Sequence, residues 1–240
     1  MMGRLYRRAY GDDYPTEVEP FGSCTWWTLG QAVAGLGMSP GGTLVDLGCG
    51  RGGPGLWLAR ALGARLIGID FSAVARHQAT DRIGHFLPPG RAEFRPGTFE
   101  RSGMPDASTD GLVSIDALQF TPDIPAALRE LRRILRPGAR AVLTASELVH
   151  PDPAWPRATT DWRPWVEEAG LSLEQRIVDE NNAQRWLALY RLVEDHEDAL
   201  RTELGDYATE SLLAEARLVT PQLPRRRALL LVVQRPREVR

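Results

Sequence analysis

The stretch Thr43-Leu44-Val45-Asp46-Leu47-Gly48-Cys49-Gly50-Arg51-Gly52-Gly53 decides the fold. A short apolar run, Thr43–Leu47, reads as a buried strand and ends in a loop crowded with glycine. Pro54 then opens a helical pattern to Leu62, with Leu56, Leu58, Ala59 and Leu62 available for its buried side. Glycines at a strand-to-helix turn allow sharp bends and let a ligand approach bare main chain. Gly48, Gly50 and Gly53 also satisfy Gly-x-Gly-x-x-Gly, a spacing that marks a site without choosing its ligand.

Outward from this point the alternation continues. The pattern predicts strands at Arg65–Ile69, Ala92–Arg95, Gly111–Ile115, Ala139–Thr144 and Leu171–Val178. Helices are expected at Ser72–Ile83, Ile124–Leu135 and Asp161–Ala169. Such alternation argues for a mostly parallel sheet flanked by helices, with ligands bound at the carboxyl ends of the strands. Ser23 is placed to cap a helix through about Gly37, while residues 1–22 read as a loose lead-in. Late in the chain, Trp186, Tyr190, Val193, Leu200 and Leu204 give one helix over Ala183–Leu204, with more helix to about Arg217. Ala228–Val233 reads as a closing strand.

Composition narrows the function. The 240 residues are 43% hydrophobic and 25% charged, ordinary values for a globular chain. The net charge of −2 does not favour a nucleic-acid partner. All 29 basic residues are arginine, so lysine chemistry is excluded, both Schiff bases and P-loop clamps. Two cysteines, Cys24 and Cys49, make neither a disulfide scaffold nor a cysteine zinc site. No apolar run spans a bilayer and the first residues do not form a secretory signal, so a soluble cytoplasmic protein without a membrane partner is expected.

Asp70 ends the second predicted strand, twenty residues beyond Gly50. A carboxylate there can accept two charge-assisted hydrogen bonds from adjacent ribose hydroxyls. The plainer reading is a cap on the helix that follows.

Four segments in order carry a family resemblance. Leu44–Gly52 resembles the first motif of the class I S-adenosylmethionine-dependent methyltransferases. Gly68-Ile69-Asp70-Phe71-Ser72 resembles their ribose-binding segment. Met104–Gly111 and Ala127–Gly138 are similar to the approaches to their fourth and fifth strands. The resemblance implies S-adenosyl-L-methionine as cofactor and S-adenosyl-L-homocysteine as its product. It implies that Gly48, Cys49 and Gly50 set the backbone against the methionine part, with Asp46 orienting that region from below. It further implies that Asp70 holds the ribose, that Phe71 lies along the adenine, and that Asp116 and Ala117 lie near the methionine amino group. Where the family often has Gly-Asp after the third strand, this chain has Gly97-Thr98-Phe99. The Thr98 hydroxyl is a weaker acceptor for the adenine amino group than a carboxylate, and Phe99 is available for stacking.

The expected architecture is a seven-stranded Rossmann-like sheet, mostly parallel with the last strand antiparallel. Its divisions are an N-terminal helical lid (1–42), a cofactor-binding core (43–180), a helical insertion (181–220) and a closing strand (221–240). Tyr6, Tyr10, Tyr14, Trp26 and Trp27 could bring aromatic faces over a sulfonium, with packing on the core as the plainer reading. His150, after the fifth strand and near Glu147, is the candidate base, and Tyr14 joins it as a catalytic candidate. No cluster has metal spacing, so no metal is expected. Arg225-Arg226-Arg227 reads as a solvated charge run. The Asn/Asp-Pro-Pro signature of base-amine methyltransferases is replaced by Asp116-Ala117-Leu118, which argues for a small-molecule methyl acceptor. The insertion would cover the site or a partner subunit, and a homodimer is compatible with that reading. A nicotinamide-dependent oxidoreductase and a cofactor-retaining binding or cyclisation catalyst are the rival functions.

Overall fold

The computed structural model describes residues 1–155 and 158–237. In chain order the elements are α1 (Met2–Tyr10), α2 (Trp26–Leu36), β1 (Thr43–Leu47), α3 (Gly53–Leu62), β2 (Arg65–Asp70), α4 (Ala73–Asp81), α5 (Ile83–Phe86) and β3 (Ala92–Pro96). They continue with β4 (Thr109–Ser114), α6 (Ile124–Ile134), β5 (Leu135–Leu148), α7 (Arg163–Glu168), β6 (Ser172–Val178), α8 (Asn182–Asp195), α9 (Glu197–Leu204), α10 (Asp206–Val219) and β7 (Arg226–Gln234).

Seven strands form one sheet in the order β3-β2-β1-β4-β5-β7-β6. The pairs β1–β2, β1–β4, β2–β3 and β4–β5 are parallel. The last strand runs the other way. Gly138 at the start of β5 donates to Arg235 just past the end of β7, and the Arg235 N–H returns to Ala139. The central strands are buried on both sides, which is why they read as continuous apolar runs: Leu44, Val45, Leu47, Leu66, Ile67, Ile69, Leu112, Val113, Ala141, Val142 and Leu143. β5 enters the ladder irregularly. Thr109 pairs with Leu135 but Gly111 pairs with Arg140, so the Arg136-Pro137-Gly138 turn bulges out of register. The strand order reverses between β1 and β4, the topological switch point at which such sheets bind ligands.

The chain divides into two compact units. One holds most of the sheet, comprising Trp27–Ala145, Asp161–Ile177 and the chain from Leu229 onward. The other gathers Met1–Trp26, Ser146–Thr160 and Val178–Ala228. Its core joins Leu5, Tyr6, Tyr10 and Tyr14 to Leu189, Val193, Leu200 and Leu213. The Tyr6 and Tyr14 rings stack with centroids 6.0 Å apart, and Tyr10 meets Tyr6 edge-on at 5.5 Å. The buried Arg185 pairs with Asp13 and Asp179, and its guanidinium lies 5.6 Å over the Tyr10 ring.

Two expectations change here. Residues 2–10 are not a loose lead-in but a helix, ordered because Leu5, Tyr6 and Tyr10 find partners on α8, α9 and α10. The single helix expected over Ala183–Leu204 breaks at His196, whose ring Nδ1 pairs with the Leu192 carbonyl. Glu197 and Asp198 then open α9 with acids in its first turn, where the helix dipole favours them.

Among the described residues no helix is long and apolar enough to cross a membrane. Because Leu5 is 1% exposed, Leu5→Ala should cost about 2–4 kcal/mol in denaturant unfolding, whereas a frayed α1 would show almost no loss.

Candidate functional site

The site is built at the carboxyl ends of β1, β2, β3 and β4, all within the sheet unit. The loop after β1 folds back on β2: the Gly48 and Cys49 N–H groups both donate to the Ile69 carbonyl, at 2.8 and 3.1 Å. The Gly52 N–H closes the turn on the Cys49 carbonyl at 2.8 Å. Gly48 has φ +76°, and a side-chain carbon there would collide with Cβ of Ala117 and lie 3.2 Å from the Phe99 ring. Only glycine lets the loops after β1, β3 and β4 converge at this point.

Asp46 is buried at the end of β1. The Gly55 N–H, in the first turn of α3, donates to its carboxylate, and a side chain at Gly55 would collide with the same group. Burial, then the nearby charge of Asp70, push the Asp46 carboxyl up to about 7 despite that donor. The Cys49 thiol is raised as well, first by burial and then by the Asp46 and Asp70 charges. That direction favours the thiol over the nucleophilic thiolate.

Asp70 is the hinge of the arrangement. Its Oδ2 accepts from the Gly50 N–H and its Oδ1 from the Ser72 N–H, both at 2.8 Å. The cap of α4 is Ser72, whose hydroxyl accepts from the Ala75 N–H at 3.2 Å, so Asp70 does not serve as the helix cap. Each Asp70 oxygen keeps a lone pair for a further donor. Phe71, the next residue, is 80% exposed.

On the β3 side, Thr98 closes a small turn. Its hydroxyl oxygen accepts from the Arg101 N–H at 3.2 Å, and its side chain bonds to Glu100. Glu100 in turn accepts from the Thr121 hydroxyl, which ties the loop after β3 to the loop after β4. On the β4 side, Asp116 adopts φ +54°, with its N–H on the Thr144 hydroxyl at 2.6 Å and its carbonyl accepting from Gln119 at 3.0 Å. Ala117 is buried, and the Phe120 ring is exposed.

The structure thus brings Asp46, Gly48, Cys49, Gly50, Asp70, Phe71, Thr98, Phe99, Asp116 and Ala117 to neighbouring strand ends. His150 and Tyr14 belong to the other unit. His150 is exposed in the bend after β5. Tyr14 is buried, and its hydroxyl donates to the Pro20 carbonyl at 3.2 Å. Arg225 pairs with Asp152 at 2.7 Å and Arg226 covers the Trp155 ring at 4.7 Å, so these two arginines are engaged within their own unit. Sequence reasoning missed Gly55, Glu100, Thr121 and Thr144. Their roles arise only where loops meet, although a glycine in the first turn of a helix was a usable signal for Gly55. Among the described residues no group of three or more His, Cys, Asp and Glu is placed to hold a metal ion.

The raised Asp46 carboxyl has a stability consequence. The folded chain retains a proton that the unfolded chain loses near pH 4, so the group's contribution falls as pH rises from about 4 to 7 and stays low above that. Asp46→Asn should therefore stabilise the ligand-free protein by about 1–3 kcal/mol at pH 8 and by much less at pH 5. Thermal unfolding at the two pH values checks this, and an equal effect at both would refute it.

Comparison with known proteins agrees with the geometry. A family model described as a methyltransferase domain matches residues 45–143. Methyltransferase GfsG of Streptomyces halstedii is 30% identical over 129 residues, covering 54% of this chain and 46% of its own length. The 27-O-demethylrifamycin SV methyltransferase of Amycolatopsis mediterranei is 31% identical over 154 residues, covering 64% of this chain and 55% of its own. The chain thus spans about half the length of these curated relatives. Among solved structures, the cyclase SpnF shares the fold with a TM-score of 0.76 at 20% identity, over 87% of this chain and 80% of its own. The matched segment runs from within β1 into β5, so residues 45–143 are similar to a methyltransferase domain, in keeping with the motifs read there.

Proposed function

We propose that this chain binds S-adenosyl-L-methionine and transfers its methyl group to an oxygen, nitrogen or carbon atom of a small organic molecule. The observation that carries the reading is Asp70. It is a carboxylate at the switch point, fixed by the Gly50 and Ser72 amides, with a lone pair left on each oxygen for the paired hydroxyls of a ribose.

The residues present suit such a nucleoside. A side chain at Gly50 would meet nothing within 4 Å, so open space lies over the loop beside Asp70. The exposed Phe71 ring offers a face for the base. Asp46 is a buried acid whose ionisation a neighbouring positive charge would favour. The donor's own chemistry is a methyl group on a sulfonium, transferred in line to a nucleophile and leaving S-adenosylhomocysteine. What the chain supplies is alignment and a site that holds charge.

The nicotinamide rival fares worse. A pyrophosphate needs the amides of a glycine loop to be free. Here the Gly48, Cys49, Gly50 and Gly52 amides each donate to an oxygen of the chain itself.

For the acceptor, the name of the Amycolatopsis relative supports a small organic molecule. The net charge of −2 and the Asp116-Ala117-Leu118 segment support the same reading over nucleic acid. A cytoplasmic setting accords with two buried thiols. We assign His150 as the proton acceptor where the nucleophile is O–H or N–H. The fold shared with a cyclase suggests a second reading, ring closure with a retained cofactor, and transfer of labelled methyl from the donor to a panel of acceptors separates the two.

Asp70→Ala should lower affinity for S-adenosylmethionine at least about thirtyfold in calorimetry. Unchanged affinity would remove the ribose assignment. His150→Ala should lower kcat about a hundredfold with the donor's KM unaltered. A fully active variant would discard it as base.

A further inference from the structure

The ring of Phe99 is unexplained by ribose and base recognition. Phe99 follows β3, the edge strand, and β2 lies between β3 and β1. Yet its ring reaches the end of β1: the point where a side-chain carbon on Gly48 would stand is 3.2 Å from both Cε2 and Cζ of Phe99. The same point abuts Ala117, beyond β4. The ring therefore lies at the reversal of strand order, on the β4 side of Asp70.

Its position is fixed from both flanks. Thr98 before it exchanges two hydrogen bonds with Arg101, at 3.0 and 3.2 Å. Glu100 after it is bound by Thr121, which follows the short 3-10 turn Leu118–Phe120. A ring clasped on both sides is pre-organised for a contact. Phe99 is only partly buried.

The donor's covalent structure says what that contact is. Phe71 and Asp70 stand at the end of β2, where the proposed function puts base and ribose. The sulfonium sits one carbon beyond the ribose ring. Moving along the sheet away from Phe71, the next surface is bare Gly48, covered by the Phe99 ring and Ala117. An aromatic face attracts a cation through its quadrupole and does nothing comparable for a neutral sulfur.

We propose that the Phe99 ring receives the sulfonium of the donor and thereby discriminates charged S-adenosylmethionine from neutral S-adenosylhomocysteine. This rests on the reading of the crevice as an S-adenosylmethionine site. The consequence is selective: loss of the methyl group removes the attraction, and the product is held less tightly than the donor.

Calorimetric titration of the full chain with both compounds tests this. Phe99→Leu should weaken S-adenosylmethionine binding about three- to thirtyfold and leave S-adenosylhomocysteine binding within about twofold. Phe99→Tyr, which keeps a ring, should preserve the preference. A ring-fluorinated phenylalanine placed at position 99 keeps the shape while draining the quadrupole, and should reproduce the selective loss even where Phe99→Leu folds poorly. Equal losses for both compounds would overturn the proposal and leave the ring as packing, with the site reading intact. A wild-type chain that binds neither compound would overturn the site reading and this inference with it.

Discussion

Asp70 ties the ends of two neighbouring parallel strands together. One carboxylate oxygen takes the amide of Gly50 in the loop after β1, and the other takes the amide of Ser72 ahead of α4. Hydrogen bonds to an ionised acceptor are roughly twice as strong as neutral ones. Both donors here are main chain, so the arrangement depends on the rotamer of Asp70 and on no side chain of its partners. With Gly50 fixed, the tight turn Gly48–Gly52 has one way to run, and its remaining amides settle on Ile69 and Cys49. With Ser72 fixed, its hydroxyl is free to cap α4. The same carboxylate thus organises the crevice and presents itself to whatever enters it.

Asp46 shows the cost of that design. It is buried, it shares its neighbourhood with the Asp70 charge, and the Gly55 amide supports it from the backbone. An apolar residue of similar size would stabilise an empty fold better. What a buried, partly ionised acid provides is a waiting negative charge, and a positively charged guest relieves the strain of keeping it. The electrostatics of Asp46 and the proposed contact at Phe99 point the same way, toward a cationic ligand above a bare backbone.

The sheet is legible in the sequence because buried parallel strands appear as short apolar runs between glycine-rich turns. β1 has the bounds that its apolar run suggests, and β2 differs by one residue. The glycine loop and Asp70 are legible for a related reason: their function depends on spacing along the chain. Helix α1 is not legible. It carries Arg4, Arg7 and Arg8 among few apolar residues, and Leu5, Tyr6 and Tyr10 become a buried face only when α8, α9 and α10 arrive from far along the chain. The break at His196 is hidden by an apolar periodicity that runs straight through it. Glu100, Thr121 and Thr144 escape sequence reading because each acts across loops whose meeting is a product of the sheet order.

Asp116 extends this reasoning to the far side of the crevice. A non-glycine residue at φ +54° is strained by about 1–2 kcal/mol, and glycine would meet the same backbone requirement without that strain. The surrounding structure holds the conformation instead, with Thr144 on its N–H and Gln119 on its carbonyl. The position therefore tolerates strain and gains a carboxylate. Asp70, Asp46 and Asp116 then stand at or just beyond the carboxyl ends of three adjacent strands, β2, β1 and β4, around a glycine whose bare surface faces an aromatic ring. A phosphate-bearing ligand would meet like charge along this row.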